Sequence, residues 1–137
     1  MQITKQADYA LRAIIYLSQL EAGGKASTGK IAEAQEIPAS FLAKIISQLS
    51  IAGLIHTSRG ARGGVSLARE PQDITVLDVI QAIDGPVVLN ECTENPDACP
   101  FPDTCPLYEL WGETRDMLVK KLSSATFGEK IKASNPF

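Results

Sequence analysis

From Thr4 to Leu20, apolar residues recur at three- and four-residue steps, at Ala7, Ala10, Leu11, Ile14 and Leu17. That spacing places them on one face of an α-helix. Thr4 stands at the N-cap position, and Gly23-Gly24 stands where such a helix should stop. A second, short helix is expected from a cap at Ser27 or Thr28 through Ile31, Ala32 and Ala34. It should end before Pro38, because the residue preceding a proline avoids the helical region. A third helix follows over 39–52, with Phe41, Leu42, Ile45, Ile46 and Leu49 as its apolar set. Its opposite side, Ser40, Ala43, Lys44, Ser47 and Gln48, is small and polar.

Beyond Gly53 the pattern changes to two short strands, 54–58 and 65–67. Arg59-Gly60-Ala61-Arg62-Gly63-Gly64 lies between them, with glycines that permit a tight hairpin tip and two arginines to project from it. Helix, short helix, helix and basic hairpin make a winged helix-turn-helix. Thr75 and Asp78 have capping-box spacing for a helix running to Gly85. Pro106 suits the first turn of a long helix with Leu107, Leu110, Trp111, Thr114, Met117, Leu118 and Leu122 in one stripe. Such a stripe needs a partner, and a second copy supplies one, so a homodimer is expected. Thr126 and Glu129 have the spacing to cap a short final helix. The expected fold is mainly α with a small β-hairpin: a winged helix-turn-helix over residues 1–72, then a sensor and dimerisation region over 73–137, one intertwined domain per chain.

With 45% hydrophobic and 21% charged residues in a chain of 137, a real core can be buried within one domain. The longest run without Lys, Arg, Asp or Glu is Ile45 to Ser58, short of the roughly 20 residues that cross a bilayer. No membrane partner is expected. Asp8 among the first basic residues argues against a signal peptide, and the chain is expected in the cytoplasm.

The net charge of -3 conceals an uneven layout. Over 25–69, Lys25, Lys30, Lys44, Arg59, Arg62 and Arg69 outweigh Glu33 and Glu36, leaving +4. Over 70–116, eleven acids face Arg115 alone, leaving -10. An acidic run is by default a solvated face. The basic stretch instead coincides with the small polar helix face and the arginine hairpin. Together these point to double-stranded DNA, with Thr28, Ser40, Lys44, Ser47, Gln48, Arg59 and Arg62 as candidate contacts.

All three cysteines, Cys92, Cys99 and Cys105, fall in one short segment, with six and five residues between them. An odd number cannot pair off within one chain. The spacing is too wide for a zinc ribbon. Three soft thiolates suit an iron–sulfur cluster, and Pro96, Pro100, Pro102 and Pro106 interrupt regular structure so that the chain can wrap one. On the residues alone, metal binding and three inert loop thiols stand level. His56, the single histidine, lies on the wing strand and reads as structural or surface.

The chain resembles the winged-helix transcription regulators of the IscR and NsrR type. The resemblance spans almost the whole chain. It rests on Ile3-Thr4-Lys5 with Asp8-Tyr9-Ala10, Ser40-Phe41-Leu42, and Ala52-Gly53-Leu54-Ile55 followed by the arginine–glycine hairpin. Asp78-Val79-Ile80, Ala82-Ile83-Asp84-Gly85 and three cysteines ahead of a Trp-bearing helix complete it. It implies a homodimeric repressor on a near-palindromic operator, with Ser40 and its neighbours in the major groove and Arg59 in or near the minor groove. It also implies an iron–sulfur cluster on Cys92, Cys99 and Cys105, 4Fe-4S ahead of 2Fe-2S, that senses redox state, nitric oxide or iron–sulfur status.

Three departures bear on this. Ala43 stands where IscR has an acidic residue used in choosing between site classes, so site preference does not carry over. Tyr108 stands where IscR-like relatives place a ligand histidine. The first cysteine spacing is one residue longer than in many relatives. NsrR-like relatives use an aspartate from the first helix of the partner subunit, and Asp8 matches it; the alternative for Asp8 is an ion pair with Arg12. Two other functions remain open: a metal-free cysteine redox switch on the same scaffold, and an iron–sulfur electron carrier or scaffold. An enzyme is not expected, since no Cys-x-x-Cys, nucleophile elbow or phosphate loop occurs.

Overall fold

The structure, a computed structural model, describes residues 1–95, 97, 100–101 and 105–128. In chain order the elements are α1 (Lys5–Ser18), α2 (Thr28–Gln35), α3 (Ala39–Ile51), β1 (Ile55–Ser58) and β2 (Gly64–Leu67). A 3-10 turn (Pro71–Asp73), α4 (Val76–Asp84), α5 (Glu91–Glu94) and α6 (Leu107–Ser124) follow. The winged helix-turn-helix expected from the sequence is present, mostly helical with one two-stranded antiparallel hairpin.

Side-chain caps set the helix starts. Thr4 Oγ1 accepts from Ala7 N–H at 3.1 Å. Of the two candidates for α2, Ser27 is the cap, accepting from Lys30 N–H at 3.1 Å. Thr75 and Asp78 form the reciprocal box, Thr75 N–H donating to Asp78 Oδ2 at 2.9 Å and Asp78 N–H to Thr75 Oγ1 at 3.0 Å. The first helix ends at Ser18, before Leu20 and the two glycines. α2 closes on Glu36 in the left-handed region (φ 51), which turns the chain sharply into α3.

In the wing, Ile55 pairs with Leu67 and Ser58 with Gly64. Ala26, ahead of α2, exchanges both main-chain bonds with Val65, at 3.0 and 2.8 Å, and so covers the sheet's outer edge. The hairpin tip needs glycine for space: a Cβ on Gly63 would lie 2.3 Å from the Ser58 carbonyl oxygen.

The core runs through Ala10, Ile14 and Leu17 of α1, Ile31 of α2, Leu42, Ile45 and Leu49 of α3, and Leu54, Ile55 and Val65 of the wing. Ile74, Val79 of α4 and Phe127 join it. One assigned core residue differs. Phe41 is 46% exposed and sits at the edge of α3, its ring 6.2 Å from that of Tyr9.

α6 packs against α4 and α5 but buries none of its residues completely, and Met117 stands 71% exposed on its apolar stripe. After α6 the chain returns to the start of α4. Val76 N–H donates to the Ala125 carbonyl at 2.8 Å and Phe127 N–H to the Ile74 carbonyl at 3.1 Å. Thr126, expected to cap a final helix, lies instead in a β-bridge with Thr75, and its expected partner Glu129 lies outside the described residues.

Candidate nucleic-acid interface and cysteine segment

The α3 residues left over by the core form a stripe. Leu42, Ile45, Ile46 and Leu49 face inward, so Ser40, Ala43, Lys44 and Ser47 are all exposed along the other side. These four side chains are short or flexible, leaving the helix narrow enough to enter a major groove, about 12 Å wide. Gln48 departs from the expectation. It is half-buried, and its Oε1 is buried with no hydrogen-bond partner among the described residues.

The wing brings its arginines beside this stripe. Thr28 at the start of α2, Ala43 and Ile46 of α3, and Ser58, Arg59 and Gly63 of the wing line one groove. Thr28 thus sits in the first turn of a helix whose N-terminal N–H groups and dipole favour an anion. Lys44, Arg59 and Arg62 are exposed, and among the described residues the ion pairs are Asp8–Arg12 and Arg115–Asp116. Among the described residues, none forms an ion pair with these interface cations. His56 is exposed on β1 opposite Ser66.

Behind the stripe, Asp8 Oδ2 lies 3.1 Å from Arg12 Nη2, and the carboxylate side chain is 50% exposed. Arg12 Nη1 also donates to the Gln35 carbonyl at 2.9 Å, and its Cζ lies 4.9 Å from the centre of the Tyr9 ring. Lys5 Nζ approaches that ring at 5.1 Å. Tyr9, which the sequence marks only as part of Asp8-Tyr9-Ala10, is the shared partner of two cations, since Lys5, Tyr9 and Arg12 stand at the four- and three-residue steps that make helix neighbours.

Cys92 sits on α5, and Cys105 immediately precedes the first turn of α6, its N–H donating to the Phe101 carbonyl at 3.1 Å. Both thiols are free and half-buried, while Cys99 lies outside the described residues. Among the described residues, no three His, Cys, Asp or Glu side chains come together as a metal site, so Asp8 is not brought to Cys92 and Cys105 within one chain. As a donor set, two free, partly solvated thiols, one on α5 and one just ahead of α6, fit the softness that an iron–sulfur cluster requires. No helix of the described residues is long and apolar enough to cross a membrane.

The fold and sequence have known counterparts. CymR of B. subtilis, described as its global cysteine regulator, is 31% identical over 98% of both chains, with a TM-score of 0.82. IscR of T. potens is 27% identical, over 98% of this chain and 89% of that one, with a TM-score of 0.77. An oxidized form of CymR from Staphylococcus aureus is 26% identical over 100% and 98%, with a TM-score of 0.73. Residues 3–132 match the Rrf2 family, described as iron-dependent transcriptional regulators, and the chain belongs to that family of winged-helix regulators.

Proposed function

We propose that this chain is a homodimeric repressor of near-palindromic double-stranded DNA whose affinity is set by an iron–sulfur cluster on Cys92, Cys99 and Cys105, with Asp8 of the partner subunit completing the ligand set. The observation that carries the DNA reading is the juxtaposition of an exposed Ser40–Lys44–Ser47 stripe with Arg59 and Arg62 of the wing, which make no ion pair among the described residues. Lys44, Arg59 and Arg62, with Thr28 beside them, hold the phosphate backbone. Ser40 and Ser47 meet base edges. The exposed apolar stripe of α6, with Leu110 and Met117, forms the dimer contact that fixes the distance between two reading heads.

Three clustered soft thiols support the reading as cluster ligands, and because they lie in the part of the chain with a net -10, which DNA repels, their effect on binding must be mechanical. A bound cluster would supply iron and sulfide sensitive to oxidants and nitric oxide. Cys92 and Cys105 would hold it against α5 and the start of α6, and Asp8 would leave Arg12 to reach it.

Protein isolated without air should carry iron and acid-labile sulfide in near-equal amounts and a visible absorption band. Removing them should change operator affinity. Three phosphate-contacting cations per subunit predict a loss of about 10³-fold in operator affinity between 50 and 200 mM salt. Metal-free protein with unchanged regulation by thiol oxidation would replace the cluster by a cysteine redox switch, a reading favoured by the similarity to CymR and by the free state of Cys92 and Cys105. Cluster-loaded protein with no preference for a duplex would mark an electron carrier or scaffold.

A further inference from the structure

Two hydrogen-bonded ties away from the interface join parts of the chain far apart in sequence. On α6, Arg115 Nε donates to the Val87 carbonyl at 2.9 Å. At the end of α4, Asp84 accepts from Thr4 Oγ1 at 2.6 Å and from Thr4 N–H at 3.4 Å. Only Gly85 and Pro86 separate Asp84 from Val87. Proline fixes its own φ, and the Val87 side chain is buried, so the connection is short and stiff.

Both ends of this connection matter. Arg115 is the single basic residue among residues 70–116. It lines a groove with Val87, Tyr108, and Thr93 and Glu94 of α5, the short helix that carries Cys92. Thr4 is the N-cap of α1. Its hydroxyl gives its proton to Asp84 and receives Ala7 N–H at 3.1 Å. α1 then meets α3 through the Tyr9–Phe41 ring pair.

We infer that Arg115, the Val87 carbonyl, Asp84 and Thr4 form a strut that carries the state of the cysteine segment to α1, with Arg115 and Asp84 as positioning residues. The inference rests on the reading of the cysteine segment as a sensor. Both ties involve partly or fully exposed groups, where a hydrogen bond adds little to global stability. What they contribute is geometry. A guanidinium holds a carbonyl in a fixed direction, and a carboxylate beside a helix N-terminus fixes the cap hydroxyl. A perturbation of α5 or of the start of α6 that shifts Arg115 therefore moves the first turn of α1.

The test is hydrogen exchange on the full-length protein, with thiols either reduced or alkylated by iodoacetamide, following the Ala7 and Asp8 amides. In the parent protein, alkylation should raise their exchange roughly three- to tenfold, the scale of a modest coupling. In Arg115→Gln and in Asp84→Ala the alkylated and reduced forms should exchange alike, while dimer mass and thermal midpoint stay at the parent values. Thr4→Ser, which keeps the cap hydroxyl, should retain the response. Should Arg115→Gln fail to fold, Asp84→Ala, which removes an exposed acceptor, gives the same comparison. A parent protein without a response, variants that respond fully, or loss of the response in Thr4→Ser would each overturn the strut. Iron and sulfide analysis of the same preparations separates this from the cluster proposal: a metal-free protein that still shows the Arg115-dependent response keeps the strut and loses the cluster.

Discussion

The guanidinium of Arg12 donates to the main-chain carbonyl of Gln35 at 2.9 Å and so ties α1 to the C-terminal end of α2. A cation there also opposes the negative end of the α2 dipole. The bond to Gln35 is partly buried and charge-assisted, whereas the Asp8 pair is half exposed. Arg12→Ala should therefore cost about 2 kcal/mol in urea unfolding, and Asp8→Ala only about 0.5 kcal/mol. The difference separates two roles for Asp8. If Asp8→Ala loses little stability yet loses iron and sulfide on anaerobic purification, it is a ligand; if the metal content is unchanged, its role ends at Arg12.

Gln48 gives a second test. Its Oε1 is buried without a partner among the described residues, a desolvation cost of roughly 1–3 kcal/mol. Gln48→Met keeps the length and removes the polar atoms, so it should raise stability by about 1 kcal/mol in the same unfolding assay. Operator affinity should stay within about twofold of the parent, because the side chain is not on the free stripe. A tenfold fall in affinity would return Gln48 to the interface.

Phe41 and Gln48 also show where sequence reading stopped. They stand seven residues apart, two helical turns, and so lie along one edge of α3 between its apolar and polar faces. Residue type alone assigns Phe to the core and Gln to solvent. Packing against neighbouring elements reverses the bias, leaving Phe41 half exposed beside Tyr9 and turning Gln48 Oε1 inward. The elements themselves were legible, because caps at Thr4 and Thr75, Pro38 and Gly85 act locally. Ties such as Arg12 to Gln35 and Arg115 to Val87 were not. Their acceptors are main-chain carbonyls, which every residue possesses and no pattern marks. The strip Ala125–Phe127 was hidden for the same reason, since its pairing with Ile74–Val76 is a long-range main-chain match.

Phe127 is fully buried among residues of α1, α3 and α4. Truncation to alanine at such a site costs about 3–5 kcal/mol, a large fraction of the roughly 5–15 kcal/mol that holds a typical domain together. Phe127→Ala should thus lower the urea midpoint sharply, while Phe127→Leu should lose about 1–1.5 kcal/mol. Both are to be measured at one protein concentration, since dimer stability depends on it. A small effect of Phe127→Ala would mean that the return strand adds little to the core.

The wing separates space from backbone angle. A Cβ on Gly63 would meet Ser58 O at 2.3 Å and Arg59 C at 2.7 Å, both main-chain atoms that cannot swing aside. A Cβ on Gly60 would meet nothing within 4 Å, and only its φ of +97° disfavours a side chain. Gly60→Ala should cost about 1 kcal/mol locally and leave the hairpin register in place. Gly63→Ala must instead open the Ser58–Gly64 pair, which moves Arg59 and Arg62 away from the α3 stripe. Because the tip is exposed and lies outside the core, the thermal midpoint should change little, while operator affinity falls about tenfold. The salt dependence should become shallower as well, because Arg59 and Arg62 no longer displace counterions from the phosphates. Fluorescence anisotropy with one duplex at several salt concentrations measures both. Equal affinities for the two variants would remove the wing arginines from the DNA contacts, and would leave binding to the α3 stripe alone.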